Sequence, residues 1–184
     1  MELKELKLKD ISINNRGYYG IGAPAVAYDD NKYTYLRITD INDDGTLNIR
    51  ELMSVDDKNA KDFLLKKNDI VFARTGTSTG RNYFYDEEID NMVFAGFLIK
   101  FSLNEEKVNP KFIKYYCISK KYRNWIASSL TGSTRPNINE KQLAEMPITI
   151  PNRDYQNKVV KILDSITQKI RLNNQINDNL LNVA

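Results

Sequence analysis

Histidine is absent from this sequence of 184 residues, and cysteine occurs only once. Without histidine the chain cannot build a Ser-His-Asp or Cys-His nucleophile system, and it cannot bind a metal through imidazole ligands. The single cysteine, Cys117, excludes an internal disulfide framework and is typical of a protein from a reducing compartment. We therefore expect a cytoplasmic protein, in which any enzyme chemistry would depend on carboxylate, lysine, tyrosine or serine side chains.

Long apolar segments are also missing. The longest apolar run extends from Met92 to Ile99, whereas a membrane-spanning helix needs about 20 residues. The opening residues MELKELKLKD are charged where a secretory signal peptide has its apolar core. With 41% hydrophobic and 28% charged residues, the composition predicts one soluble globular domain with an appendage and no membrane partner.

Acidic residues are missing from one long stretch. Between Lys107 and Asn139 there are seven lysines and arginines and no aspartate or glutamate, whereas Asp40 to Asp62 carries seven acids and three bases. The net charge of +3 hides this asymmetry. A one-sided basic region indicates a face that binds a polyanion, although a solvated basic helix would show the same pattern.

The first hundred residues read as short strands and turns, which indicates a mixed α/β (α+β) globular fold over residues 1–150. The predicted strands are YTYLRI (33–38), DIVFAR (69–74), NYFY (82–85) and NMVFAGFLIKF (91–101), the last as one buried strand. NDDG at 42–45 is a turn signal.

Residues 109–130 change to a helical pattern, with Asn109 as the N-cap and Pro110 at the first helical position. The residues expected to share the buried face are Phe112, Tyr115, Tyr116, Tyr122, Ile126 and Leu130. Asn139 with Gln142 resembles a capping box for a short helix, and MPITIP (146–151) reads as a closing strand.

Residues 151–184 carry a heptad pattern that predicts a long coiled-coil-type helix. Its seam positions recur at steps of four and three: Val159, Leu163, Ile166, Ile170, Asn173, Asn177 and Leu180. So regular a seam favours pairing with a second helix, and seam asparagines fix register at a cost in packing. The run ends without a helix stop signal, so we expect a helix that is cut or unfinished.

The loop between the strands at 69–74 and 82–85 carries an arginine at each end, Arg74 and Arg81. It does not fit a nucleotide-binding Walker A loop, because Gly76 and Gly80 are one residue too close and arginine replaces the lysine. The hydroxyls of Thr75, Thr77, Ser78 and Thr79 could donate to phosphate oxygens, and either arginine could fork onto guanine. Alternatively, the hydroxyls satisfy their own turn.

Other catalytic patterns are incomplete. A methyltransferase would need a glycine-rich cofactor turn and an Asn/Asp-Pro-Pro-aromatic loop, and the sequence shows neither. A carboxylate–lysine nuclease could be assembled from Asp90, Glu105 and Lys107, but the last two lie in a turn-like segment. We therefore expect a non-catalytic protein without a cofactor or metal.

Six segments occur in one characteristic order: YLRITDI (35–41), DIVFARTGTSTGRNYFY (69–85), AGFLIKF (95–101), NPKFIKYYCISKKYRNWI (109–126), GSTRPNIN (132–139) and MPITIPNRDYQNKVVKILDSITQKIRLNNQIN (146–177). Together they resemble the specificity (S) subunits of type I restriction–modification systems. The resemblance implies that residues 1–150 form a target recognition domain that reads half of a bipartite DNA sequence. It also implies that the helix at 151–184 is a spacer that pairs antiparallel with an equivalent helix.

The resemblance implies partners as well: double-stranded DNA, modification (M) methyltransferase subunits and a restriction (R) subunit. A complete S subunit has two recognition domains and two spacer helices, so this chain would be a half-length subunit that forms a homodimer, or a fragment that pairs with a second half. The S subunit itself performs no chemistry.

The residues expected to contact DNA come from both lines of reasoning. Phosphate contacts are expected from Lys114, Lys121, Arg123 and the loop hydroxyls. Groove contacts are expected from Arg74, Arg81, Asn82, Arg135 and Asn137, since arginine reads guanine and asparagine reads adenine. The resemblance adds Ser133 and Thr134 as backbone-positioning residues, and for base readout it favours the less typical Tyr18, Tyr19, Lys32 and Tyr33. Arg16 is also expected to bind DNA.

Two other functional classes stay open from the sequence. A non-specific single-strand or RNA binder would use the many aromatic residues as stacking platforms. A protein–protein adaptor would use the heptad seam alone, and its basic region would be incidental.

Overall fold

The computed structural model describes residues 3–130 and 136–181, with side chains described up to residue 177. Within these ranges the elements are, in chain order, β1 (Leu3–Lys7), β2 (Tyr18–Tyr19), β3 (Ala25–Val26), β4 (Tyr33–Leu36), β5 (Met53–Val55), β6 (Asp69–Ala73), β7 (Asn82–Tyr85), β8 (Met92–Phe94), β9 (Leu98–Ser102), α1 (Pro110–Tyr116), α2 (Lys120–Ser129), α3 (Glu140–Ala144), β10 (Pro147–Pro151) and α4 (Arg153–Leu181). Short 3-10 helices connect several of them.

The central sheet has the strand order β2-β9-β6-β7 and is antiparallel. Every residue of β6 is buried, because the two faces of this sheet pack against different layers. Ile70 and Phe72 face the helices, whereas Val71 and Ala73 face the second sheet. Burial on both faces explains why this strand is apolar throughout instead of alternating.

The second sheet has the order β3-β5-β4-β8, with β4 and β8 parallel. The sequence prediction of one strand over 91–101 is wrong, because the chain turns between Phe94 and Leu98. Leu98 N donates to Ala95 O at 2.8 Å, and Gly96 N donates to Ile21 O at 2.7 Å. One half of the apolar run therefore lies in the second sheet and the other half in the central sheet.

The predicted helix over 109–130 is two helices. The first ends at Tyr116, and α2 restarts after Ser119, whose hydroxyl accepts from Tyr122 N at 3.3 Å. The predicted N-cap is confirmed, since the Asn109 side chain accepts from Lys111 N. Of the predicted buried face, Tyr122 and Ile126 are buried and three others pack partly against the core: Phe112, Tyr116 and Leu130.

β1 pairs antiparallel with β10 and thereby brings the amino-terminal strand next to the start of the long helix. The predicted capping box of α3 is present, with Asn139 and Gln142 bonding each other's backbone. The NDDG turn is present too, with Gly45 at φ +80°.

α4 contains 29 residues, which gives a length of about 44 Å. Its first turns dock on the globular part: the buried Gln156 accepts from Asn109 N at 2.9 Å, and Val160 is 7% exposed. The Tyr115 hydroxyl donates to Asp164 Oδ1 at 2.5 Å. Burial first, and this hydrogen bond second, raise the pKa of Tyr115 to about 12.

The predicted fold class, a mixed α/β unit followed by a long C-terminal helix, is confirmed. Among the helices that the structure describes, none has the length and apolar character needed to cross a membrane.

Candidate nucleic-acid interface

Residues 74–81 form a compact loop that is held against the segment at 136–138. Gly76 N donates to Pro136 O at 3.0 Å, and Ile138 N donates to Arg74 O at 2.9 Å. Thr75 and Asn137 form an isolated antiparallel bridge. Segments far apart in sequence, one of them from the basic region, thus meet at this loop.

The four loop hydroxyls have different environments. Thr79 Oγ1 donates to Gly76 O at 2.7 Å, as the turn-satisfying alternative predicts. Ser78 is 8% exposed and Thr75 is half-buried, whereas Thr77 is exposed. Thr77 is therefore the hydroxyl of this loop that is best placed to meet a phosphate.

Arg74 lies on one side of the loop and stacks on an exposed tyrosine. Its guanidinium carbon is 5.0 Å from the centre of the Tyr19 ring, and Tyr19 is 43% exposed. The Arg74 Nε is buried and has no hydrogen-bond partner among the described residues. Because this Nε is inaccessible to solvent, a contact of Arg74 with a ligand would use the terminal Nη atoms of the guanidinium.

A second arginine lies over a tyrosine ring at β2, the edge strand of the central sheet. Arg16 lies over the Tyr18 ring at 4.7 Å, and the Tyr19 hydroxyl accepts from Glu140 N at 3.1 Å. We call the region along edge strand β2 and the adjoining loop, with Arg16, Tyr18, Tyr19, Arg74, Phe97 and Asn137, the tyrosine edge. As consecutive residues of β2, Tyr18 and Tyr19 point to opposite faces of the sheet, so the two arginine–tyrosine pairs lie on either side of this strand. Here the structure brings together predicted residues that lie more than a hundred positions apart.

Phe97 belongs to this edge and was missed from the sequence. It occupies the turn between β8 and β9, is 59% exposed, and its carbonyl accepts from Arg74 N at 3.0 Å. Because residues 91–101 read as one buried strand, the sequence prediction placed this side chain inside the protein. The preceding glycine was the only local sign of a turn.

Arg81 lies on the other side of the loop and is tied to an acidic turn. Its Nε donates to Asp43 Oδ1 at 2.8 Å and its Nη1 to Ile41 O at 3.2 Å. Arg123 of α2 approaches the same turn, with Nη2 donating to Asp43 O at 3.4 Å. These side chains border a cleft of about 380 Å³, the arginine cleft, which is also lined by Thr77, Thr79, Gly80, Asn82, Cys117, Tyr122, Ile126, Ala127 and Leu130.

Asn82, a predicted contact residue, and Tyr122 of α2 support the loop from inside. Asn82 is 5% exposed, and its Nδ2 donates to Cys117 O at 2.7 Å. The buried Tyr122 hydroxyl donates to Gly80 O at 2.6 Å. Asn82 and Ser78 face the protein interior in this structure, and we leave both out of the surface proposed below.

Three predicted lysines have their contacts elsewhere. Lys114 lies 3.8 Å from Asp86 at the end of β7, and Lys121 donates to Thr149 on β10. Lys32 pairs with Asp56 at 2.7 Å, and half-buried Tyr33 pairs with Val55 within the second sheet. The predicted residues thus form one cluster around Arg74 and another around Arg81, on the two sides of one loop. The three lysines lie apart from both clusters, and acidic residues lie next to several of the predicted cations.

Some of the remaining predicted positions lie outside the described residues, and the others lie on α4. Ser133, Thr134 and Arg135 lie outside the described residues, as does the side chain of Leu180. On α4, Val159 and Leu163 are half-buried, whereas the seam residues Ile166, Ile170, Asn173 and Asn177 are exposed. Further exposed apolar residues of α4 are Tyr155, Ile162, Leu172 and Ile176.

The layered sheets followed by one long helix match the fold of solved type I restriction–modification specificity subunits. The HsdS subunit of Thermoanaerobacter tengcongensis superposes with a TM-score of 0.60 at 15% identity, covering 92% of this chain and 43% of that one. The S subunit of M. genitalium gives 0.61 at 17% identity, covering 93% and 40%. A chain from a structure of assembly and conformational transition in the type I R-M system gives 0.65 at 15% identity, covering 95% and 44%.

The chain belongs to the type I restriction modification DNA specificity domain family, whose model matches residues 2–182. It is 29% identical over 190 residues to the type I restriction enzyme HindI specificity subunit of Haemophilus influenzae, covering 98% of this chain and 39% of that protein. The chain therefore spans about two fifths of the length of that relative. The family predicted from the sequence is confirmed.

Proposed function

We propose that residues 1–150 read one half of a bipartite DNA target and that the helix at 151–184 spaces and pairs this half with a second one. The observation that carries the proposal is the tyrosine edge. There the guanidinium of Arg74 is held over the exposed ring of Tyr19, in a chain of the DNA specificity domain family.

Stacking prepares Arg74 and Arg16 for base readout. An arginine held over an aromatic ring has lost much of its rotamer freedom before it binds, so less entropy is lost when it meets a base. A guanidinium donates two parallel hydrogen bonds to guanine O6 and N7 in the major groove. Phe97 adds an apolar side chain that suits the methyl group of thymine.

Phosphate contacts would hold the edge in register on the duplex. Thr77 is exposed beside the edge, Asn137 is exposed within it, and Arg123 is exposed on α2. Such contacts carry no sequence information, but they supply much of the affinity and make it dependent on salt. We assign Lys114, Lys121 and Lys32 at most a general electrostatic contribution, because their observed partners lie away from the loop.

The exposed side of α4 would pair with a second helix. Its apolar side chains lie in solvent in this structure, and a helix stripe of this kind is stable when a partner covers it. The partner would be the α4 of a second copy or of another recognition half. M and R subunits would assemble on this scaffold and perform the chemistry, and the chain itself would be non-catalytic.

Co-expression of the chain with a matching M subunit, followed by methylome sequencing, tests this function. We expect methylation at a bipartite motif of defined spacing that disappears when the chain is omitted. Methylation that is independent of the chain, or that ignores sequence, would contradict the proposal. A chain that dimerises but leaves the methylome unchanged would favour the adaptor class.

A further inference from the structure

One acidic residue, Asp43, contacts two arginines at the arginine cleft. Asp43 Oδ1 accepts from Arg81 Nε at 2.8 Å, and the Asp43 carbonyl accepts from Arg123 Nη2 at 3.4 Å. The Asp43 side chain is 79% exposed, and Arg81 is 32% exposed. Two of the cations at this loop are therefore engaged by one residue that solvent reaches easily.

The turn that carries Asp43 does not need its carboxylate. Asn42 N donates to Thr46 O at 2.9 Å, and Gly45 N donates to Asn42 O at 3.1 Å. The neighbouring Asp44 accepts from the backbone and hydroxyl of Thr46 at 3.0 and 2.6 Å, so it stabilises the turn locally. The Asp43 side chain instead reaches across 38 positions of sequence to Arg81.

We propose that Asp43 is an internal competitor of the DNA backbone, whose carboxylate holds the position that a phosphodiester takes in the arginine cleft. Carboxylate and phosphate oxygens accept the same hydrogen bonds from a guanidinium. An exposed ion pair contributes little to stability, so an incoming phosphate displaces Asp43 readily. This inference rests on the proposed function, and it adds a residue that governs affinity for the DNA backbone.

The competition suppresses binding to the wrong sequences. Non-specific affinity comes almost entirely from phosphate contacts, so occupying Arg81 internally weakens it on every duplex. A duplex whose bases match the tyrosine edge makes additional base contacts, and these offset the free-energy cost of displacing Asp43 from Arg81. The displacement cost is the same on every duplex, so the ratio of cognate to non-specific affinity does not change. The absolute affinity for unrelated DNA falls, however, and at physiological salt a duplex with base contacts stays bound while one without them is released.

Asp43→Asn tests the proposal, with Asp44→Asn as the matched control. Both variants add one positive unit of net charge to the same turn, but only Asp43 contacts Arg81. Binding to a duplex of unrelated sequence is measured by fluorescence anisotropy between about 50 and 200 mM salt. We expect Asp43→Asn to bind about three- to tenfold more tightly than wild type, from the lost ion pair and the lost repulsion together. Asp44→Asn should change affinity less than about twofold.

The salt dependence and a double variant complete the test. If Arg81 gains one phosphate, the slope of log K against log salt should steepen by about 0.9 in Asp43→Asn. Adding Arg81→Gln to Asp43→Asn should remove the gain, and an undiminished gain would overturn the assignment of Arg81. Equal effects of Asp43→Asn and Asp44→Asn, or weaker binding by Asp43→Asn, would overturn the inference while leaving the proposed function intact. All of these affinities are measured on the complex with the co-expressed M subunit, and a wild-type complex that binds no duplex at low salt would overturn both the inference and the proposed function.

Discussion

Replacing Gly80 with alanine should destabilise the protein much more than the same change at Gly76, although both glycines belong to one loop. Gly80 has φ +89° and Gly76 has φ +70°, conformations that L-residues rarely adopt. Each substitution therefore carries a backbone cost of about 1–2 kcal/mol.

The surroundings of the two glycines differ. A Cβ at Gly80 would lie 2.7 Å from Ile126 Cγ2 and 3.1 Å from Ile126 Cγ1, whereas a Cβ at Gly76 would meet nothing within 4 Å. Ile126 is 7% exposed and packs in the core, so its displacement adds about 1–3 kcal/mol. The free energy of unfolding should thus fall by about 2–5 kcal/mol for Gly80→Ala and by about 1–2 kcal/mol for Gly76→Ala.

Urea unfolding, followed by the fluorescence of the single tryptophan, Trp125, measures both changes next to the affected contact. In a double-mutant cycle, Gly80→Ala together with Ile126→Ala should cost less than the sum of the single changes, because the clashing methyl groups are gone. Equal losses for the two glycine variants, or strict additivity in the cycle, would refute this account of the loop.

The remaining predictions concern DNA readout and the long helix. Arg74→Ala should lower the discrimination between the correct and the wrong base at one position of the target by about 1–3 kcal/mol. Methylome sequencing measures this change, and Arg50→Ala, at an exposed arginine, serves as the control. An equal loss of binding on all DNA would make Arg74 a phosphate contact. Tyr115→Phe removes the bond to Asp164 and should lower the free energy of unfolding by about 0.5–1.5 kcal/mol. Because the folded-state pKa of Tyr115 is raised from 10.0 to about 12, its contribution is present below pH 10 and lost towards pH 12. Wild type should therefore lose more stability than Tyr115→Phe over that range, and parallel pH curves would contradict this. An insertion of seven residues into α4 after Arg171 lies beyond the turns that dock on the globular part. It should lengthen the gap between the two DNA half-sites by about three base pairs. An unchanged spacing of the methylated motif would refute the spacer role of α4.

Local features of the fold were predictable because their interactions join residues a few positions apart. The caps at Asn109 and Asn139 each bond a backbone N–H two or three residues later, and the turn at 42–45 closes through its own backbone. Residue type and spacing suffice for such features. The heptad pattern likewise indicated a long helix, because apolar side chains that recur every three and four residues are visible in the sequence itself.

Non-local features were not predictable in the same way. The apolar run at 91–101 serves two sheets, and only the pairing partners of β8 and β9 decide where it turns. Asn82 and Ser78 were predicted to contact DNA, but both are buried, and Asn82 donates to the carbonyl of Cys117 just after α1. Phe97 read as a core residue, and the same turn exposes it.

The amino-acid sequence by itself determined the family, the helix caps, the main strands and the exclusion of histidine chemistry, since composition and short-range order carry that information. Only the tertiary structure decided which charged groups share a surface. It placed Arg74 on Tyr19 and Arg81 on Asp43, and it separated Lys32, Lys114 and Lys121 from the loop. The physical reason is that electrostatic and stacking interactions depend on distance in space, and chain folding brings together residues whose separation in sequence says nothing about that distance.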